Sequence, residues 1–324
     1  MSERFQVVGV GDLCLDFTAA TDTIPATDMV TSLLGTTSQG GGKVPTALVA
    51  LARLGIRSAL FCTVGDDAAG RFCTQELEAC GVCTDYMTIL EDEKTNLTIC
   101  LAEKSTGGRS FIGKYDMPTV KPDQLCREVI ENADYLHLWS ASAAAKSAAE
   151  WVRKKGGKVV YDADRYNAET KQMLPLINVF ICSEFFFVGM FGEDCSDAAR
   201  ETGLRELCAC GPEIAVVTLG SRGCAGVSSE GYFRLPAYSG IHVVDSTGAG
   251  DTFHGAFIYG LIQGWGAKKT AAFSSAVSAI KCTVPGGRAG IPDLKTVEQF
   301  VQTGQIDTTL SEKWQRYYAA HGLL

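Results

Sequence analysis

The most informative segment of this chain reads Val243-Val244-Asp245-Ser246-Thr247-Gly248-Ala249-Gly250-Asp251-Thr252-Phe253. Its two valines predict the end of a strand, its glycines a tight turn, and the small residues from Ala249 onward the start of a helix. Backbone N–H groups at a helix start have no partner within the helix, and small side chains leave them uncovered. The segment therefore predicts an anion-binding turn formed by the N–H groups of Ala249, Gly250 and Asp251.

Asp251 lies in the same turn as these N–H groups. Its carboxylate can accept the proton of a hydroxyl group that attacks a phosphoryl group held there. Phosphoryl transfer depends mainly on positioning and charge stabilisation, and this turn can supply both. The alternative is that Asp251 only caps the helix and the glycines only turn the chain. The whole string is more specific than a Gly-x-Gly turn, which favours phosphoryl transfer.

Strands and helices alternate through the rest of the chain. Short apolar runs predict strands, and apolar residues at helical spacing predict helices. This alternation is typical of an α/β fold with a mainly parallel sheet between helices, whose ligands bind at the carboxyl ends of the strands. The predicted strands are 7–10, 59–64, 135–138, 158–162, 179–182 and 214–219, and the predicted helices are 46–54, 68–80, 123–132, 143–155, 198–210, 249–263 and 268–281.

Two segments break this alternation. Residues 17–39 lack helical periodicity, and residues 94–115 alternate around a Thr-Gly-Gly turn at 106–108, which is a hairpin signature. We expect both to form a small β-sheet lid on a single domain that spans residues 1–324. The exposed edge of such a lid predicts a contact between two copies of the chain, and so a homodimer.

The composition narrows the classes of partner. Hydrophobic residues make up 46% and charged residues 20% of the chain, which is typical of a folded globular protein. The formal net charge of −8 argues against nucleic acid. We expect no membrane partner and a cytoplasmic location, since neither a long apolar run nor a signal segment is present. The thirteen cysteines, including the Cys80 and Cys83 pair, are expected to be free structural thiols rather than a metal or redox site.

Several motifs in the same order resemble the ribokinase-like (PfkB) carbohydrate kinase family. The string from Asp245 to Phe253 is similar to the C-terminal signature of that family, and residues 41–55, Gly-Gly-Lys through Ala-Arg-Leu-Gly, are similar to its N-terminal signature. Residues 64–70 and 218–223 resemble further landmarks. The resemblance spans nearly the whole chain. It implies a doubly wound sheet with a β lid, and transfer of phosphate from ATP, with Mg²⁺, to a hydroxyl of a sugar or sugar derivative.

The resemblance also implies roles for single residues. Asp251 matches the base. Carboxylates suit a sugar site because they accept hydrogen bonds from sugar hydroxyls, and glycines suit it because they let the sugar ring approach the backbone. The alternatives are a turn residue for Asp12, a solvated lid residue for Asp16, a surface cation for Lys43 and an ordinary β-turn for residues 218–223. The implied anion hole is Ala249 and Gly250, in the same turn as Asp251, and Gly248 is a further implied catalytic residue. The implied substrate residues are Asp12, Asp16, Gly41, Gly42, Lys43 and Thr46, and the implied nucleotide residues are Ser183, Thr218, Gly220, Ser221 and Gly223. A monovalent cation, possibly K⁺, matches Asp245, Thr247 and Gly286 with nearby carbonyls.

One motif departs from the family pattern. Where the family has Asn-x-x-Glu, which helps to place magnesium, this chain reads Ser183-Glu184-Phe185-Phe186. Either Glu184 serves with a shifted geometry, or water and phosphates hold the ion, since Mg²⁺ keeps several waters and needs few protein ligands.

The substrate is left open among a ketohexose, a pentose, a sugar acid and a phosphosugar. Residues 281–292 and His254 resemble a sub-branch that includes sulfofructose kinase, but a sulfonate calls for a fixed Arg or Lys fork, and residues 136–145 offer none. Lys43 and Arg165 remain candidate anion partners. Asp162 and Asp164 are candidate pocket residues, with solvated or structural charges as the alternative for all four.

Two other functions compete with a sugar kinase. A nucleoside kinase of the same family would stack its base on an aromatic ring, for which Phe17, Phe111 and Tyr115 are candidates. A non-catalytic sugar or nucleotide sensor would account for the altered magnesium motif. The intact Asp251 turn argues against a sensor, because a binding protein needs no base.

Overall fold

The computed structural model describes residues 4–105 and 108–323 of the chain. Its strands are β1 (Val7–Val10), β2 (Cys14–Thr21), β3 (Leu33–Gly41), β4 (Ser58–Phe61), β5 (Thr63–Gly65), β6 (Thr88–Leu90), β7 (Asn96–Glu103), β8 (Arg109–Lys114), β9 (Tyr135–Leu138), β10 (Lys158–Ala163), β11 (Val179–Ser183), β12 (Ile214–Thr218), β13 (Cys224–Ser228) and β14 (Gly231–Leu235).

The helices alternate with these strands for most of the chain and follow them at the end. They are α1 (Lys43–Arg53), α2 (Ala68–Ala79), α3 (Arg127–Glu131), α4 (Ala143–Lys154), α5 (Ala168–Met173), α6 (Glu184–Phe191), α7 (Asp197–Ala209), α8 (Ala249–Ile262), α9 (Ala267–Lys281), α10 (Leu294–Thr303) and α11 (Thr309–His321).

The main sheet is mostly parallel. Its strand order is β14-β13-β12-β11-β10-β9-β1-β4, in which β13 pairs antiparallel with both β12 and β14 and all other neighbours pair in parallel. A parallel sheet is buried on both faces, which explains the continuous apolar run of β1. Its neighbours Val7 and Val8 point to opposite cores, Val7 to the one that contains Phe257 of α8 and Val8 to the one that contains Ala148 of α4. The predicted α/β fold class is confirmed.

A separate sheet is built from the two segments that break the alternation. Its strand order is β3-β2-β7-β8, with β2 and β7 parallel and the outer pairs antiparallel. Every residue of β8 is exposed. The predicted turn at 106–108 lies partly outside the described residues.

Several predicted boundaries were wrong. Val243 and Val244 do not end a strand; they lie in a loop with 58% and 46% of their surfaces exposed, and the Val244 N–H donates to the carbonyl of Cys282 (2.8 Å). The predicted strand 59–64 is two strands, β4 and β5. The prediction also missed α5, α6, α10, α11, β13 and β14, most of which are short or follow the last recognised motif.

Two further features are the lengths of the helices and the state of the cysteines. Within residues 4–105 and 108–323, we find no helix whose length and apolar character would let it cross a membrane. All thirteen cysteines are free thiols, among them Cys80 and Cys83.

Candidate active site

The predicted site residues gather at one edge of the main sheet. Asp12 follows β1, Asp164 follows β10, Ser183 ends β11 and Thr218 ends β12. These strands are parallel, so their carboxyl ends share an edge, where α/β sheets bind ligands.

The start of α8 is an uncapped helix end. Gly248 precedes it with φ 73°, a left-handed conformation, and a Cβ on Gly248 would lie 2.6 Å from the carbonyl oxygen of Gly287, so the position requires glycine. No side chain caps the helix, and Gly250 is exposed with open space where a side chain would be. The Ala249 N–H differs from the prediction, because it donates to the Ser246 carbonyl (3.2 Å). The N–H groups of Gly250 and Asp251 are therefore the better candidates for binding an anion.

Asp251 lies among other carboxylates. Burial raises the pKa of the Asp251 carboxyl well above its usual value, the carboxylate of Asp162 raises it further, and the Lys43 ammonium opposes both. The carboxylates of Asp16 and Asp164 add smaller upward shifts. We call Asp16, Lys43, Asp162, Asp164 and Asp251 the cleft cluster. A carboxylate with a raised pKa is a stronger proton acceptor than an ordinary aspartate, as a general base requires.

Lys43 belongs to the cleft and is not a free surface cation. Its ammonium group lies 3.1 Å from Asp164 Oδ2 and 5.1 Å from the centre of the Trp139 ring. Burial lowers the pKa of Lys43, but the carboxylates of Asp162, Asp164 and Asp251 outweigh burial and raise it. Lys43 is therefore the one positive member of the cleft cluster.

Asp12 and Asp16 lie beside residues Gly40–Gly42, where β3 ends just before α1 begins, and we call this segment the glycine loop. Asp16 is inside lid strand β2 rather than at the end of β1, and the Cys14 thiol donates to its Oδ1 (3.1 Å). Burial raises the pKa of both carboxyls. A Cβ on Gly41 would lie 2.3 Å from the Asp16 carboxylate, so glycine lets the acid approach the backbone.

A buried ion pair lies beneath this loop. Arg288 Nη1 is 2.8 Å from Glu76 Oε2, and both side chains are completely buried. The same guanidinium donates to the Gly41 carbonyl (2.8 Å) and to Thr46 Oγ1 (3.2 Å). The structure thus places Thr46, predicted to bind substrate, beneath the loop with its hydroxyl bonded to Arg288.

Two neutral groups complete this arrangement. Gln39 Oε1 accepts hydrogen bonds from the backbone N–H groups of Arg288 (2.8 Å) and Ala289 (3.0 Å), and the Tyr318 hydroxyl donates to Glu76 Oε1. We call Gln39, Thr46, Glu76, Arg288 and Tyr318 the support cluster. It joins the glycine loop to α1, α2, α11 and the loop that follows α9.

The Asp245 loop leads into the start of α8 and is also tightly bonded. The two carboxylate oxygens of Asp245 accept the N–H groups of Thr247 and Gly286, both at 2.8 Å. The buried Lys281 ammonium donates to the Asp245 carbonyl (2.9 Å). Burial raises the pKa of Asp245, but Lys281 and the backbone hydrogen bonds outweigh burial and lower it.

The predicted nucleotide residues lie at the ends of β11 and β12. Gly220 and Gly223 have φ of 58° and 86°, in a short turn between β12 and β13 where Ser221 is exposed. The Ser183 hydroxyl accepts the Phe186 N–H (3.1 Å) and caps α6.

The altered magnesium motif offers little to a metal ion. Phe186 is buried and packs on Phe180. The Glu184 carboxylate is engaged by Arg222 and lies 3.8 Å from Arg200. No group of three or more His, Cys, Asp or Glu side chains in the described residues is placed to hold a metal ion. The Glu184 carboxylate therefore lies in ion pairs with arginines instead of being free to bind a metal ion.

Sequence reasoning did not assign a role to His254. Its Nδ1 lies 2.8 Å from the Gly250 carbonyl and 3.6 Å from Asp162 Oδ2, so the imidazole joins the first turn of α8 to β10. Among the other candidates, Arg165 is exposed with its guanidinium over the Phe185 ring, Phe111 is half exposed, and the Tyr115 hydroxyl lies 3.0 Å from Thr98 Oγ1.

Comparisons with known proteins identify the family and the fold of this chain. The family model "pfkB family carbohydrate kinase" matches residues 4–294. The chain is 26% identical over 318 residues to 5-dehydro-2-deoxygluconokinase of Geobacillus thermodenitrificans, covering 91% of this chain and 92% of the relative. It is 25% identical over 299 residues to nucleoside kinase of Methanothermobacter thermautotrophicus, covering 90% and 94%. The structure of Arabidopsis thaliana ribokinase complexed with ribose and ATP superposes with a TM-score of 0.78 at 22% identity, covering 93% and 99%, which supports the fold.

Proposed function

Because this chain belongs to the pfkB family of carbohydrate kinases, we propose that it transfers the γ-phosphoryl group of ATP to a hydroxyl of a sugar or sugar derivative, with Asp251 as the base. The observation that supports this most is the position of Asp251. Its carboxylate has a raised pKa and lies in the first turn of an uncapped helix.

The proposed step moves one proton and one phosphoryl group. The acceptor hydroxyl gives its proton to the Asp251 carboxylate as its oxygen bonds to the γ-phosphorus. The bond from that phosphorus to the β,γ-bridging oxygen breaks, and ADP leaves. The N–H groups of Gly250 and Asp251, with the dipole of α8, stabilise negative charge on the phosphoryl oxygens. MgATP is a substrate in this scheme, and Mg²⁺ supplies positive charge between the phosphates.

The sugar site is proposed on the opposite side of Asp251 from the nucleotide. Asp12 and Asp16 would accept hydrogen bonds from sugar hydroxyls, and Gly41 and Gly42 would let the ring approach the backbone. Lys43 would orient a further hydroxyl or an anionic substituent while it stays paired with Asp164. Ser183, Thr218, Gly220, Ser221 and Gly223 would lie along ATP.

We also propose that the protein forms a homodimer in which two copies contact each other through their lid sheets. The outer strands β3 and β8 carry exposed apolar side chains, including Leu33, Leu34, Phe111 and Ile112, each with more than half of its surface exposed. An exposed sheet edge offers unpaired N–H and C=O groups to another chain, and exposed apolar patches mark interaction sites. Light scattering on the purified protein measures the mass directly, and a monomer at micromolar concentration would rule this out. A cytoplasmic location fits the ATP requirement and the free thiols.

A nucleoside remains the second candidate substrate, because one relative is named nucleoside kinase and aromatic rings lie on the lid. Purified protein with MgATP and a panel of neutral sugars, sugar acids, sugar phosphates and nucleosides, followed by ADP release, separates the two. Turnover of a sugar above the rate without acceptor supports the proposal. Tight ATP binding with no turnover of any acceptor would contradict it.

A further inference from the structure

Two positively charged side chains of the protein contact the loop that contains the predicted monovalent-cation site. Lys281, at the end of α9, is completely buried, and its ammonium donates to the Asp245 main-chain oxygen (2.9 Å). Arg109, from lid strand β8, places Nη1 3.0 Å from Thr247 Oγ1 and 3.8 Å from Asp245 Oδ1. Positive charge therefore lies against both the backbone and the side-chain oxygens of this loop.

The oxygen atoms of Asp245, and the hydroxyl of Thr247, have N–H donors as partners. Asp245 Oδ1 accepts the Thr247 N–H, Asp245 Oδ2 accepts the Gly286 N–H, and the Asp245 carbonyl accepts Lys281. Thr247 Oγ1 accepts Arg109. A monovalent ion binds through oxygen lone pairs, and each of these oxygens already directs one lone pair at an N–H donor. Two neighbouring positive charges would also repel an added cation. The residues present therefore do not fit a monovalent ion.

We propose that this chain needs no monovalent cation, because the Lys281 ammonium, assisted by Arg109, supplies that positive charge from within the protein. Lys281 holds the carbonyl of Asp245, whose carboxylate in turn holds Thr247 and Gly286. This fixes the loop that ends at Gly248, the residue before α8. Lys281 is thus a positioning residue for the anion-binding turn, and it touches no reacting atom.

The proposal has two readouts, turnover and melting temperature, and only turnover rests on the proposed kinase activity. Turnover and melting temperature of the full chain are measured in KCl, NaCl and tetramethylammonium chloride at equal ionic strength. We expect turnover to agree among the three salts within about twofold and the melting temperature to show no K⁺-specific rise. An ion that bound the folded state would raise the melting temperature by mass action, whether or not a substrate is known.

A charge-removing substitution makes the test specific. Lys281→Met keeps the apolar stem and removes the ammonium, and we expect turnover to fall about tenfold, a typical size for coupling between positions. Added K⁺ or NH₄⁺ should restore part of the loss. Lys268→Met is the matched control, because Lys268 is exposed on the same helix, and it should leave turnover unchanged.

Each result bears on the proposal. Activation of the parent by K⁺ about tenfold over Na⁺, or a melting temperature raised only by K⁺, would overturn it. So would unchanged turnover in a folded Lys281→Met variant. If that variant does not fold, the salt series on the parent still decides, and absence of all turnover would count against the kinase proposal while the melting series still tests this one.

Discussion

The support cluster and the cleft cluster meet at the Gly40–Gly42 loop, and they differ in the balance of positive and negative side chains. The support cluster contains one anion and one cation, Glu76 and Arg288, and neutral partners occupy their remaining hydrogen-bonding positions. The cleft cluster contains four carboxylates and one ammonium, and the pKa of Asp251 is raised within it. Matched charges hold a loop in place, whereas unmatched carboxylates at a cleft can accept protons, which is why perturbed pKa values concentrate at functional sites.

The largest expected effect on stability comes from breaking the support cluster. Arg288→Met leaves the Glu76 carboxylate buried without its cation, and we expect the free energy of unfolding to fall by about 3–5 kcal/mol. Denaturant titration measures this. Arg205→Met, which removes an exposed ion pair with Glu201 within α7, should cost less than about 1 kcal/mol. Equal losses for the two variants would mean that the buried pair has no special structural role.

An intermediate effect is expected on the pH dependence of turnover. The base must be deprotonated, so activity is lost as pH falls through the pKa of Asp251. The Asp162 carboxylate raises that pKa and Lys43 lowers it. Asp162→Asn should therefore move the acid limb of kcat/KM to lower pH, and Lys43→Met should move it to higher pH.

The control for this shift is Asp134→Asn, because Asp134 lies beside the amino end of β9, at the opposite edge of the sheet. Its acid limb should match that of the parent. Acid limbs that move in the same direction in Asp162→Asn and Lys43→Met would be incompatible with a shared electrostatic cluster around the base.

A smaller effect is expected at Thr46, where the support cluster meets α1. Thr46→Val removes the oxygen that accepts Arg288 Nε and leaves a buried donor unpaired, so stability should fall by about 1 kcal/mol. Thr46→Ser keeps the hydroxyl and is the control. The KM for the sugar separates this role from the predicted substrate contact: a rise in KM in Thr46→Val with unchanged stability would place the hydroxyl in the sugar site.

The sequence predicted the parts of the site that lie close together along the chain. Gly248 to Asp251 form one turn, so their composition alone indicates a helix start with free donors. The pair of Glu76 and Arg288 is 212 positions apart, and nothing local marks either residue as a partner of the other. Lys281 resembles an ordinary last-turn lysine of a helix until its burial is known.

The errors in the fold have similar causes. Val243 and Val244 have the composition of a strand, but no neighbouring strand pairs with them, and apolar residues in a loop remain exposed. After Glu184, helix α6 is apolar on all sides, so its residues show no helical periodicity to recognise. The alternating units of the parallel sheet were predictable because each strand contains a short, mostly buried apolar run.

Asp251→Asn tests the account most directly, because turnover and stability should respond to it in opposite ways. A raised pKa means that the charged carboxylate is less stable in the folded chain than in the unfolded one, so a neutral amide should leave the free energy of unfolding at neutral pH unchanged or higher. Turnover should fall by a factor of about 100 to 10,000, with ATP binding retained. Turnover close to that of the parent, or a stability loss as large as that of Arg288→Met, would contradict the assignment of Asp251 as the base.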